Sequence, residues 1–341
     1  MIEYILNSVP LLILKEILLT NHGYKIREDT SKKEKVFSLI LNYYLGRKFM
    51  SITALKLVAL ITMWIDHIGF FIPNTPIWFR YIGRLSAPIF LFCAVQGFIY
   101  TGNKKRYMFR IYLFSVFMGM INALLVKKNY VAMNYIRTIF ITIMIIFLID
   151  CFKNHNPSTK KYTITFILWE FAVGSFLMFY SDSICDEIAC IIFPLLIAPI
   201  FLEYGFLFVL LGICMYLFTD SKKKLSISYI LITLSIMFFQ NTDFLSRVIR
   251  KIHRFGIQTG YELLKNISEI LDLLIQEFLD IEVRFLKNDL WYTAQWLMIL
   301  SLPFLLVYNG QKGKGLKYLF YIMYPFNIII LYYIRDSMIL S

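Results

Sequence analysis

MWIDHIGFF, residues 63–71, sets a carboxylate and an imidazole side by side near the end of an apolar run that begins near Ala54. The run approaches the ~20 residues that a helix needs to cross roughly 30 Å of hydrocarbon. It reads as a lipid-spanning helix, and Asp66 and His67 become the residues to explain. The whole chain agrees. Of its 341 residues 59% are hydrophobic and 17% charged, and the mean hydropathy is +0.65, whereas soluble domains carry about 25% charged residues. The net charge of +13 falls in short clusters between apolar runs. That distribution suits anionic lipid and cytoplasmic loops, and argues against nucleic acid as a partner.

The runs order the chain as an all-α, polytopic integral membrane helix bundle. Residues 2–19 are apolar but interrupted by Pro10, Lys15 and Glu16, which fits a helix lying in the interface. Residues 21–48 carry seven Lys or Arg against Glu28, Asp29 and Glu34, so the segment 1–48, and with it the N-terminus, is expected in the cytoplasm. Nothing marks a removable signal peptide, and the first span is expected to act as its own insertion signal. Spans are predicted near 51–72, 79–100, 108–126, 135–152 and 162–180, then near 225–241, 290–308 and 316–334. GNKKRYMFR and KNHNPSTKK are basic and inside, while SDSICDE is acidic and outside.

Residues 187–218 leave two topologies open, because Pro194, Pro199 and the central Glu203-Tyr204-Gly205 interrupt them. Two short crossings give ten spans. One broken crossing gives nine, and keeps Lys222, Lys223, Lys224, Lys312, Lys314 and Lys317 inside; charge favours it, and helix length does not decide. The membrane core thus covers 49–242 and resumes over 290–341 with the last two helices. Between them, residues 243–289 carry seven basic and eight acidic side chains. There Leu263, Ile267, Ile270, Leu274, Phe278, Ile281 and Phe285 recur at spacings of three and four, predicting an amphipathic helical insert of about seven turns. It either lies on the membrane or bundle, or docks a protein partner. Five scattered cysteines show no C-x-x-C pattern, so no metal site is predicted; only Cys185 and Cys190 lie close enough to an outer loop for a disulfide to be considered.

An ionisable side chain at the bilayer centre costs at least ~2.5 kcal/mol, so those that persist face the bundle interior and have partners. Asp66 and His67 point about 100° apart on a helix and need separate ones. Arg80 and Arg84, one turn apart on the second span, reach comparable depth, and Asp66 with Arg84 is the expected ion pair, leaving His67 to face a cavity. Of the four histidines, only His67 lies in a span. Either these groups merely knit two helices together, or His67 acts as a general base, to which an ordinary pKa near 6.5 is suited. Lys104, Lys105, Arg106 and Arg110 likewise read as a positive-inside anchor, or as a seat for the phosphates of a donor such as coenzyme A. Glu170, Asn134 with Arg137, and Asn327, which follows Pro325, are further candidates for the cavity wall.

ALKLVALITMWIDHIG (54–69), RYIGRLSAPIFLFCAVQGFIYTGNKKRY (80–107), LEYGFLFVLL (202–211) and YNGQKGKGLKYLFYIMYPFNIIILYY (308–333) resemble the TraX family, polytopic proteins linked to N-acetylation of conjugative pilin and similar to a broader superfamily of membrane acyltransferases. The resemblance implies that Asp66 and His67 belong to the active centre, with His67 the base. It implies that Arg80 and Arg84 line the same cavity, and that Asn103 and the basic residues after it hold the donor, acetyl-CoA. Gln96 and Asn327 depart from the pattern expected of the family, a glutamate and a histidine respectively, and each removes a titratable group. The implied function is transfer of an acetyl or other acyl group to the amine of a pilin-like subunit or small exported peptide. A glycan hydroxyl as acceptor, or a non-catalytic scaffold or transport role, remain the alternatives.

Overall fold

The computed structural model describes residues 50–126, 134–180, 185–196, 202–241, 244–268, 271 and 294–340. The expectations for residues 1–48 lie outside them. Every described element is helical, apart from one isolated bridge between Met50 and Tyr308. The chain runs through α1 (Ile52–Phe71), α2 (Trp78–Gly83), α3 (Ser86–Ile99), α4 (Lys104–Val126), α5 (Tyr135–Lys153) and α6 (Thr159–Tyr180). It continues through α7 (Asp186–Leu195), α8 (Gly205–Leu217), α9 (Lys222–Asn241), α10 (Phe244–Thr259), a 3-10 helix Gln295–Ser301, α11 (Leu302–Leu306) and α12 (Lys317–Leu340). Among the described residues four helices are long and apolar enough to cross a membrane: α1, α2 with α3 as Trp78–Ile99, α4 and α5. Phe117 and Leu124 of α4 and Ile167 and Phe171 of α6 are exposed, so apolar side chains cover the outside as well as the core, as lipid requires. The fold is a helical membrane bundle.

Where helices start and stop follows from local chemistry. Ser51 caps α1, its Oγ accepting from the Ala54 N–H at 3.3 Å. Further N–H groups at that end reach another part of the chain: Ile52 donates to the Gln311 carbonyl at 2.9 Å and Thr53 to that of Lys312 at 3.3 Å. In hydrocarbon every such group must find a partner, and here a distant loop supplies it. The second span is not one helix. Pro88 has no N–H to offer the Arg84 carbonyl and its ring clashes there, so the helix stops at Gly83 and resumes at Ser86.

The segment 186–217 is one crossing in two pieces. Lys104 pairs with Asp150 at 2.6 Å and Asn134 Nδ2 donates to the Ser115 carbonyl at 3.0 Å, which makes α4 and α5 antiparallel. Gly119 meets Cys190 while Tyr112 bonds the Leu195 carbonyl, so α7 runs against α4 and along α5. Thr138, Thr142 and Asp150 of α5 meet Glu203, Gly212 and Tyr216 in that order, so α8 runs along α5 too. The two pieces therefore point the same way. Tyr204 and Gly205, at φ 69° and 65°, turn the chain into α8. This geometry is that of a single broken crossing, the alternative that charge favoured for this segment.

Two expectations change. The predicted span at 290–308 is, over its described part, the 3-10 helix followed by one short α-turn. The insert is not a single helix from 263 onward: it begins at Phe244, turns back at Gly260 (φ 69°) and folds 262–268 on to α10. Gly256 lies against Leu264 and Lys265, and His253 Nδ1 is 3.0 Å from Ser268 Oγ. Leu274, Phe278, Ile281 and Phe285 lie outside the described residues. No disulfide joins Cys185 to Cys190.

Candidate functional site

Asp66 and His67 sit in the last third of α1, both buried. The partner of Asp66 is Arg80, not Arg84: Arg80 Nη1 is 2.8 Å from Asp66 Oδ2 and also donates to the Asp66 carbonyl at 3.2 Å. The cause is the break at Pro88. It ends α2 at Gly83, which lies directly against the Asp66 carboxylate, so the arginine one turn earlier reaches round to it. Arg84 stands at the break itself, in the same electrostatic neighbourhood, with Nε buried and without a hydrogen-bond partner among the described residues.

His67 points elsewhere, as the 100° offset requires. Its ring lies between Phe71 and Tyr324, with centroids 6.3 and 6.4 Å away, and beside the amide of Asn327. Nδ1 of His67 and both amide atoms of the wholly buried Asn327 complete no hydrogen bond among the described residues. The two groups face each other short of bonding geometry. Tyr324 and Asn327 are one turn apart on α12, where Pro325 interrupts the ladder.

Two residues that the sequence marked only as a helix interruption join this centre. Glu203 and Tyr204, at the break between α7 and α8, share the electrostatic environment of Arg80 and Arg84. The signal was present: a carboxylate inside an apolar run, the criterion that picked out Asp66. Both broken crossings thus deliver polar groups to one place, where irregular backbone at membrane depth is tolerated because it is enclosed by protein.

A cavity of about 750 Å³ lies on the other side of Tyr324. It runs toward the end of the bundle where the Met50–Tyr308 bridge and the Lys104–Asp150 pair lie; Gln96, Arg110, Lys56 and Lys312 are on its walls, and so is Tyr324. His67 and Asp66 are not. The expectation that His67 faces this cavity is corrected: an aromatic ring stands between them. Lys56, Leu60, Met63 and His67 nevertheless share one face of α1, spaced by four, three and four residues, so cavity and imidazole are stacked along one stripe.

The other candidates separate from the centre. Asn103 accepts from the Arg106 N–H at 2.9 Å and begins α4, and Asn134 caps α5. Lys104 is held by Asp150, Lys105 by the Tyr162 hydroxyl at 3.2 Å, and Arg106 is exposed. Glu170, on α6, has no hydrogen-bond partner among the described residues and no contact with the Asp66 cluster.

Comparison with known proteins accords with this architecture. The chain shares 33% identity over 66 residues with the probable fimbrial assembly protein FimC, serogroup H1, of Dichelobacter nodosus, a match covering 18% of the chain and 27% of that relative. The chain thus spans about a quarter of the relative's length. No solved structure matches it. The family model described as TraX protein matches residues 51–251, more than half of the 341, and takes in α1, both broken crossings and the Glu203-Tyr204 break. The chain belongs to the TraX family.

Proposed function

We propose that the protein is a membrane-embedded acyltransferase that moves an acetyl group from acetyl-CoA to the amine of a pilin-like subunit or small exported peptide. The observation that carries the reading is a buried His67, beside Asn327 and among Asp66, Arg80 and Arg84, one aromatic ring away from a cavity large enough for a donor arm. Family membership and the relative's description as a fimbrial assembly protein support a pilus-related acceptor. The cytoplasmic orientation of the N-terminus and of the cavity mouth belongs to the same proposal, on the strength of the positive-inside rule.

In the step envisaged, His67 takes a proton from the acceptor amine as its nitrogen attacks the thioester carbonyl. A C–N bond forms, the negative charge on the carbonyl oxygen falls to Arg84 or the Asn327 amide, and the C–S bond breaks. The proton held by His67 passes to the departing thiolate, so the histidine ends neutral. Tyr324 must move aside for the acetyl group to pass. A positioned base contributes roughly 10²–10⁴-fold. Transfer of labelled acetyl to a synthetic pilin N-terminal peptide by purified protein in nanodiscs is therefore expected to fall by about that factor in His67→Ala, with the unfolding midpoint close to wild type. Label held on His67 without acceptor would indicate a covalent relay instead.

One observation favours a second reading. His67 is enclosed by Phe71 and Tyr324, and Asp66 is taken up by Arg80, as in a non-catalytic assembly scaffold whose polar groups hold helices together. A scaffold keeps its role in His67→Ala cells, and unimpaired pilus modification there would decide for it.

A further inference from the structure

The cavity has a charge pattern that the acyltransferase reading leaves unused. Its lining includes three cations from three separate parts of the chain, Lys56 of α1, Arg110 of α4 and Lys312 of the loop before α12, and no Asp or Glu. Most of the remaining wall is apolar or aromatic. Like charges that converge on a largely apolar wall repel one another and favour an anion between them. Neither ion pair among the described residues involves any of the three. Arg110 keeps Nε buried without a hydrogen-bond partner among the described residues, and its guanidinium lies 5.9 Å from the Tyr107 ring. Lys56 Nζ rests 5.4 Å from the Phe320 ring.

The loop that brings Lys312 is fixed. Gly310 and Gly313 adopt φ 78° and 73°, and Gly313 lies so close to Ser51 that a side chain there would displace the α1 cap. Thr53 Oγ1 donates to the carbonyls of Lys312 at 2.9 Å and Lys314 at 2.6 Å. Those acceptors are therefore engaged on α1, and the loop offers the cavity a lysine on a rigid frame.

We propose that Lys56, Arg110 and Lys312 seat the phosphate end of an amphiphilic acyl donor, with its chain lying along the aromatic wall toward Tyr324 and His67. This deepens the acyltransferase reading and rests on it for the identity of the donor; the anion seat itself rests on the cavity. Lys56 and His67 are eleven residues apart on one face of α1, about 16 Å at 1.5 Å per residue. Phosphate at one end and reacting carbonyl at the other is the geometry of a phosphopantetheine thioester. The seat also replaces the 103–106 cluster, whose two lysines are engaged by Asp150 and Tyr162.

The test is equilibrium binding of radiolabelled acetyl-CoA to the full chain in zwitterionic nanodiscs. Lys56→Gln and Arg110→Gln are each expected to weaken it at least tenfold, Lys312→Gln several-fold, and Lys104→Gln and Lys105→Gln hardly at all; Arg110→Lys should recover part of the loss. Unfolding midpoints identify any variant that merely misfolds. Pantetheine, lacking phosphate, is expected to compete weakly and equally in wild type and Arg110→Gln. Normal acetyl-CoA affinity in the folded Lys56 and Arg110 variants overturns the seat while leaving transfer intact. Loss of affinity there together with no transfer to any peptide supports the seat and overturns the transferase instead. Displacement by phosphatidylglycerol nanodiscs, with no acetyl-CoA bound at any concentration, assigns the cations to a lipid headgroup and overturns the proposal.

Discussion

Gly83 carries no side chain, and Asp66 occupies the place of one: a Cβ there would coincide with the carboxylate. That close approach lets Arg80 fold over Asp66 with both charges largely out of water, at 22% and 9% side-chain exposure. Removing one partner of a buried pair strands the other charge, at about 3–5 kcal/mol. Arg80→Gln is therefore expected to lower the unfolding free energy in detergent by roughly that much, and Asp66→Asn in the same chain to restore most of it. Equal stability of the single and double variants would show that the pair does not hold α1 to α2. The sequence makes both arginines visible but favours Arg84, because a continuous helix is the simplest reading of 79–100. The proline that breaks it is legible; which arginine then reaches Asp66 depends on how closely two backbones approach.

Among the elements, Asp150 does more than end a helix. Its carboxylate takes Lys104 of α4 at 2.6 Å and the Tyr216 hydroxyl of α8 at 2.8 Å, so one side chain of α5 ties three helices at one level. Hydrogen bonds to a charged group contribute about 1.5–3 kcal/mol, and Asp150→Asn is expected to cost a loss of that order in thermal unfolding. Its acetyl transfer per folded molecule should remain near wild type. A selective loss of transfer with stability unchanged would return Lys104 to the donor site. The insert illustrates the same limit from the other side. An apolar stripe at spacings of three and four is visible over 263–285, but the basic helix Phe244–Thr259 before it and the turn at Gly260 appear only when Gly256 is seen against Leu264. Periodicity reports a face and not where the chain doubles back.

For the whole molecule, the direction of α7 and α8 fixes which ends share a side. One broken crossing puts Cys185 and Asp220, both exposed, on opposite sides of the bilayer. In sealed vesicles of a variant with its other cysteines replaced, a membrane-impermeant maleimide is expected to reach Cys185 from one side and the cysteine of Asp220→Cys from the other. Labelling of both from the same side would mean two crossings.

By itself the sequence determined that this chain is a membrane helix bundle, where its four long apolar helices between Ile52 and Lys153 lie, and that Asp66, His67 and the arginines near Arg80 are the polar groups to explain. Hydrocarbon imposes length and apolarity on each span separately, so these properties are written locally. Only the tertiary structure decided which arginine meets Asp66, that Tyr324 stands between His67 and the cavity, that Glu203 and Tyr204 join the centre, and that Lys56, Arg110 and Lys312 converge. Those outcomes depend on the mutual placement of helices far apart in the chain. Hydropathy is blind to placement, because a residue facing lipid and one facing a partner helix obey the same apolar rule.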